Sequence, residues 1–149
     1  MRKNLLTVDL PIAASADRVW HEIADWEGQS KWMLQTTVKR TSDFAEGVGV
    51  TIEAFTGPLH RIYPRFKFLG VLDLMKVTRW EPPTRCDVIH YGSIIKGTGT
   101  FEVEQIDDSR SIFHWSEEIE APWLLFILVK PFILAGVLIS LARFRRLLE

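Results

Sequence analysis

Two residues in the second half of the chain, His90 and Glu117, have side chains that can donate or accept protons. Their neighbours in the sequence include apolar residues of the kind that is usually buried. Both fall in segments rich in β-formers. Alternate residues of a strand share a face, so His90 lies on the face of Val88, and Glu117 on that of Phe113 and Trp115. If these apolar residues face inward, both polar side chains point into an apolar cavity, where a buried glutamate has a raised pKa and can act as general acid or base. The alternative places both at strand ends near water.

Other patterns that could carry chemistry are incomplete. His21-Glu22 is not followed by a second histidine at helical spacing, so the metalloprotease pattern is absent. Cys86 is the single cysteine, which excludes a cysteine-rich zinc site and an intrachain disulfide. Gly97-Thr98-Gly99 lacks the third glycine and the helix of a nucleotide loop, and in a strand it indicates a bend or close packing. We therefore expect no metal and no cofactor.

The composition is that of one globular domain. The chain has 149 residues and a formal net charge of -1, without the basic excess of a nucleic-acid-binding domain, so we expect no nucleic-acid partner. The first fifteen residues lack the uninterrupted apolar stretch of a secretory signal. Together with the single cysteine, this favours a cytoplasmic protein.

The elements that must position His90 and Glu117 are mostly strands. A first strand is predicted over 5–10, followed by a helix that Ser15 caps and that ends near Ala24, and by a second short helix over 29–33. A long helix is predicted from Pro122 to Glu149, in which Pro131 kinks the helix or marks where its main part begins. The remaining candidate strands, separated by short turns that favour antiparallel hairpins, are 36–43, 48–56, 71–80, 85–94, 97–106 and 110–120.

This order predicts an α+β fold in one domain, residues 1–149. A curved antiparallel sheet of six to seven strands wraps around the long C-terminal helix, with two short helices after the first strand.

Several short stretches carry a resemblance to a known family, in order, from about Val8 to the end of the chain. They are Ala13–Trp20, Asp25-Trp26, Lys31-Trp32, Met75–Pro83, His90–Gly92, Gly97–Gly99, Phe113–Glu117 and Leu141–Glu149. In these the sequence resembles the START-like SRPBCC superfamily, also called polyketide cyclase/dehydrase-like or helix-grip proteins. The resemblance implies a large apolar cavity between the concave face of the sheet and the last helix. The segment Leu59–Leu72 departs from the pattern, because it is longer, more basic and more aromatic than usual.

Within such a cavity the leading prediction is the binding of a small hydrophobic ligand, such as a lipid, an isoprenoid or a polyketide-like aromatic molecule. His90 and Glu117 would orient it. The alternative is an enzyme, a cyclase or dehydratase that moves protons through His90 or Glu117 in the same cavity, without metal or nucleotide. The predicted wall residues are Trp32, Phe55, Met75, Val77, Phe101, Trp115, Leu134 and Leu138.

The C-terminal apolar run leaves a third hypothesis open. Trp123–Ala142 has the length of a membrane span with one charge, Lys130, but we interpret it as a helix packed on the sheet. The segment 132–139 is apolar all round, more than one buried face requires, so its spare face would meet a second copy of the chain, a loop or a bilayer surface. The loop 60–68 interleaves basic and aromatic residues. A lipid carrier or accessory protein at a membrane surface is therefore the further alternative.

Overall fold

The computed structural model describes the backbone of residues 2–149 and the side chains from Asn4 onward. Seven antiparallel strands form one sheet in the order β1-β7-β6-β5-β4-β3-β2. The helix α1 follows β1, and the long helix α2 ends the chain, so the predicted α+β architecture is confirmed. The strands are β1 Arg2–Ile12, β2 Thr36–Arg40, β3 Thr51–Thr56, β4 Val71–Glu81, β5 Arg85–Tyr91, β6 Lys96–Asp107 and β7 Arg110–Ala121. The helices are α1 Ala16–Ala24 and α2 Trp123–Leu148, with short 3-10 helices at Glu27–Lys31, His60–Ile62 and Lys67–Leu69.

The first strand is longer than the sequence predicts, because it continues through Pro11 to Ile12. Proline cannot donate a hydrogen bond to a neighbouring strand, and it is tolerated here because β1 lies at the edge of the sheet and pairs only with β7. The helix α1 begins as predicted, since the Ser15 hydroxyl accepts a hydrogen bond from the Arg18 N–H.

The core lies on the concave face of the sheet, which we call the inner face. The buried side of α1, formed by Ala16, Val19, Trp20 and Ile23, packs into this core. In β4 the register shifts between Val77 and Arg79, so the strand gains one residue relative to β5. After this bulge Trp80 reaches the core and meets Trp20 edge to face, with ring centroids 5.1 Å apart.

The two halves of α2 differ in their packing. The helix is continuous through Pro131, and the carboxylate of Glu149, directly after it, accepts a hydrogen bond from the Ala13 N–H at 2.9 Å. Since α2 starts where β7 ends and finishes beside the end of β1, it runs in the direction of β1. Its second half buries Leu141, Phe144 and Leu148, whereas its first half buries only Phe126 among the described side chains.

The helix α2 is also long and apolar enough to cross a membrane, by length and composition. Only 17% of its most apolar window is buried, whereas the core helix of a soluble protein is mostly buried. The inner face is therefore closed tightly by the second half of α2 and more loosely by the first.

Candidate functional site

A cluster of one imidazole and two carboxylates lies on the inner face, level with the first half of α2. The Nδ1 atom of His90 is 2.8 Å from Oδ1 of Asp73, and its Nε2 atom is 2.6 Å from Oε2 of Glu117. The His90 side chain is 4% exposed, and those of Asp73 and Glu117 are 17% and 15% exposed. We call these three residues the inner cluster. The structure brings the two predicted residues together and adds a third.

The three side chains come from three strands, with β6 lying between β5 and β7. His90 on β5 pairs with Met75 on β4, and Asp73 lies two residues before Met75 on the same face. Glu117 on β7 pairs with Gly99 on β6, so its side chain has to cross β6 to reach His90. These pairings fix which side chains can meet.

Gly99 makes that crossing possible. A Cβ atom at this position would lie 2.9 Å from Oε1 of Glu117, closer than real Cβ contacts allow. Gly97 shows a related constraint, since its φ of +136 and the nearby carbonyl of Glu118 both exclude a side chain. Of the two glycines in the incomplete nucleotide motif, Gly99 thus provides the space in which the Glu117 carboxylate lies.

The cluster holds an unusually basic imidazole. Burial alone lowers the pKa of His90, but the hydrogen bonds and the charges of Asp73 and Glu117 outweigh it and raise the pKa to about 10. Burial raises the pKa of Glu117, and the hydrogen bond and charge of His90 oppose this effect. The short contact between Nε2 and Oε2 therefore joins a base and an acid whose pKa values are both raised.

The predicted wall residues fall into two groups. Trp32, Val77, Phe101 and Trp115 are buried in the inner core, and Met75 and Leu134 are half-buried. Aromatic rings fill the part of the core beneath the second half of α2. Phe144 lies 4.7 Å from Trp32 and 5.6 Å from Phe113, centroid to centroid. The indole N–H of Trp32 is buried without an acceptor among the described residues.

Phe55 and Leu138 lie elsewhere than the sequence predicts. Phe55 is buried on the outer face, where its ring stacks on Tyr63 at 4.5 Å, because Ile52 and Ala54 take the inward positions of β3. Leu138 is 49% exposed, because the packed face of α2 at this level carries Val137 instead. Neither residue contributes to the inner face.

Asp73 was missed by the sequence reasoning. Asp73 lies two residues before Met75 and four before Val77, both of which are predicted to face inward. Strand alternation therefore predicts the same face for Asp73. An open depression of about 310 Å³ lies on the outer face of the sheet, where β5 ends and β6 begins, and neither Asp73 nor Glu117 lines it. It is lined by Ile89, His90, Tyr91, Lys96, Gly97, Thr98 and Glu120.

A second cluster of the same residue types lies on the outer face. Nδ1 of His114 is 2.7 Å from Oδ1 of Asp9, and its Nε2 is 2.9 Å from Oε2 of Glu104. The three side chains are 32%, 72% and 56% exposed, and we call them the outer cluster. Within the described part of the chain, no group of three or more His, Cys, Asp and Glu residues is arranged to hold a metal ion.

Exposed apolar side chains gather at one end of the sheet, where the strands β3, β5 and β7 finish. Three segments follow these strand ends: the loop 57–70, the turn containing Ile94, and the first half of α2. Phe68 is 77% exposed and Phe132 79% exposed. We call this surface the apolar end; its exposed members are Leu59, Ile62, Phe66, Phe68, Leu69, Ile94, Trp123, Leu124, Leu125, Ile127, Leu128, Val129 and Phe132.

Comparison with solved structures identifies the fold. A START superfamily protein from Mycobacterium smegmatis superposes with a TM-score of 0.75 at 10% identity, over 97% of this chain and 99% of that one. The di-domain ARO/CYC protein BexL from the BE-7585A biosynthetic pathway gives 0.72 at 14% identity, over 98% of this chain. The chain spans about half of BexL, 46% of its length. The Aha1 dimer from Colwellia psychrerythraea gives 0.69 at 19% identity, over 98% of this chain and 96% of that one.

At the level of sequence, no family model matches the chain, and no curated protein matches it. The structural likeness therefore establishes the fold and no more.

Proposed function

Because the chain has the START-like SRPBCC helix-grip fold, we propose that it binds a small hydrophobic ligand between the inner face of the sheet and the first half of α2. The observation that supports this most directly is the inner cluster. Three polar side chains converge beside the apolar core of the inner face, at the level where the helix packs loosely. A few convergent polar groups on an apolar surface are typical of ligand sites.

The test is native mass spectrometry of the purified protein, followed by organic extraction of whatever co-purifies. We expect a stoichiometric apolar molecule with the wild type. Met75 is the half-buried register partner of His90, so Met75→Trp should block the site and lose the molecule. Ile106→Trp, an exposed position at the opposite end of the sheet, is the matched control and should retain it. Equal occupancy in both variants would place the ligand elsewhere.

A second candidate is an enzyme of the cyclase or dehydratase type in the same site. The distance of 2.6 Å between Nε2 of His90 and Oε2 of Glu117 favours it, since it lets a proton move between a base and an acid. Polyketide-like aromatic substrates, followed by mass spectrometry, are the assay. A rate whose pH dependence is abolished in Glu117→Gln supports catalysis, whereas ligand recovered unchanged after incubation supports binding alone.

The third candidate, a lipid carrier at a membrane surface, is favoured by the apolar end. This surface places aromatic and aliphatic side chains beside the basic Arg61, Arg65, Lys67 and Lys130, a combination that suits an anionic bilayer surface. Exposed patches of this extent mark interaction sites in soluble domains.

Vesicle co-sedimentation tests this candidate. We expect the wild type to sediment with vesicles of phosphatidylcholine and phosphatidylglycerol, and Phe132→Asp to remain largely in the supernatant. Ile106→Asp controls for the added charge, because Ile106 is also exposed but lies at the other end of the sheet. Wild-type sedimentation of Phe132→Asp would refute membrane contact. A change in its mass by light scattering would indicate a second copy of the chain instead.

A further inference from the structure

We infer that the ligand is an apolar molecule carrying a protonated amine or an equivalent cationic hydrogen-bond donor, which the carboxylates of Asp73 and Glu117 hold. This inference rests on the proposed binding function and adds the chemical class of the ligand.

The imidazole of His90 is not available to a ligand. Both of its ring nitrogens are taken, Nδ1 by Asp73 and Nε2 by Glu117, and its side chain is only 4% exposed. The carboxylates remain 17% and 15% exposed. Each has a second oxygen, Oδ2 of Asp73 and Oε1 of Glu117, that accepts no hydrogen bond from the described side chains. The polar atoms presented to a ligand are therefore acceptors.

With one proton among its three side chains, the inner cluster carries one net negative charge. An imidazolium between two carboxylates sums to minus one, and so does a neutral imidazole between one carboxylate and one carboxylic acid. Among the described side chains, His90 is the only ion-pair partner of Asp73 and of Glu117. No lysine or arginine of that part of the chain forms an ion pair with either carboxylate.

The surroundings make this charge costly. Across the sheet, the inward neighbours of the cluster are apolar or glycine: Ala54, Met75, Val88, Gly97, Gly99 and Ile119. A net charge among apolar groups is unfavourable unless an opposite charge meets it. An ammonium group would supply both that charge and the donors that the free oxygens need, whereas a carboxylate ligand would be repelled.

The test is isothermal titration of four probes that share one apolar body: 2-(1-naphthyl)ethylamine, 2-(1-naphthyl)ethanol, 1-naphthylacetate and 1-ethylnaphthalene. We expect the amine to bind most tightly and the acetate at least about tenfold more weakly. In Glu117→Gln the amine should lose most of this advantage, and Asp73→Asn should act in the same direction. Glu104→Gln, the same substitution in the outer cluster, should leave all four affinities unchanged.

The outcomes separate the two proposals. Equal affinity for the amine and for ethylnaphthalene would overturn the ammonium inference and leave hydrophobic binding standing. Tighter binding of the acetate would overturn it as well. Failure of all four probes to bind would count against the proposed function itself, and the inference would fall with it. An amine preference that survives in both Glu117→Gln and Asp73→Asn would remove the carboxylates from recognition.

Discussion

The inner and outer clusters contain the same groups at nearly the same distances, yet they differ in what the protein can do with them. In the inner cluster His90 lies 2.8 and 2.6 Å from its carboxylates, and in the outer cluster His114 lies 2.7 and 2.9 Å from its own. His90 is 4% exposed and His114 is 32% exposed. The pKa of His90 is raised to about 10. The pKa of His114 is also raised, first by the hydrogen bond to Asp9, which outweighs partial burial.

The two clusters are also built differently. Asp9 and His114 are direct partners on the neighbouring strands β1 and β7, so any outward-facing acid and histidine in that register would meet. Glu117 and His90 are separated by a whole strand, and they meet only because Gly99 leaves the space between them. Clusters like the outer one form commonly between neighbouring strands on the exposed face of a sheet. The inner cluster requires burial and a glycine, which is the stronger sign of a functional role.

Truncating the two histidines should give the largest contrast. His90→Ala leaves two buried carboxylates without their cation, and we expect a loss of about 3–5 kcal/mol in the free energy of unfolding. His114→Ala removes a largely solvated pair and should cost about 1 kcal/mol or less. Urea unfolding of both variants against the wild type measures the difference. Equal losses would mean that burial does not distinguish the clusters.

The pH dependence of stability should separate the clusters next. The pKa of folded His90, about 10, lies above the ordinary value of 6.5, so its contribution is complete below about pH 6.5 and is lost as the pH rises toward 10. The raised pKa of Glu117 acts in the same direction. Between about pH 7 and 9 the stability should therefore fall by about 3 kcal/mol, or about 1.4 per pH unit.

Matched variants show which histidine causes this slope of stability against pH. His90→Asn should abolish most of it, because asparagine does not titrate, and His114→Asn should retain most of it. A slope that persists in His90→Asn would assign the pH dependence to groups outside the inner cluster.

Gly99→Ala tests the space that only the inner cluster requires. The added Cβ would lie 2.9 Å from Oε1 of Glu117, so the carboxylate has to move away from His90. We expect a loss of about 1–3 kcal/mol in stability and a lower pKa of His90, measured by urea unfolding and by NMR titration. Thr100→Ala on the outer face is the control and should change stability by about 0.5 kcal/mol or less. An unchanged pKa of His90 in Gly99→Ala would show that the carboxylate does not depend on this space.

Much of this arrangement could be predicted from the sequence, and the exceptions have physical causes. Strand alternation placed His90 and Glu117 on one face, and the same rule extended by one step would have included Asp73. Phe55 is predicted on the inner face because a large aromatic residue is more typical of a core than Ala54 is. Alternation alone does not reveal that the loop at Tyr63 covers the outer face and buries Phe55 there. Leu138 is exposed because of the way α2 lies on the sheet. A helix segment that is apolar all round has no periodic pattern that predicts which side faces the solvent.

Salt should produce the smallest effect, and it should act on one cluster only. At about 1 M salt the screening length is about 3 Å, so attraction between exposed charges is largely lost while buried pairs are little affected. The carboxylates around His114 are 72% and 56% exposed, whereas those around His90 are 17% and 15% exposed. In NMR titrations at low and high salt, the pKa of His114 should therefore move back toward its ordinary value and that of His90 should stay. If both pKa values move together, solvent reaches the inner cluster as freely as the outer one, and the charge that we assign to ligand recognition is already screened by water.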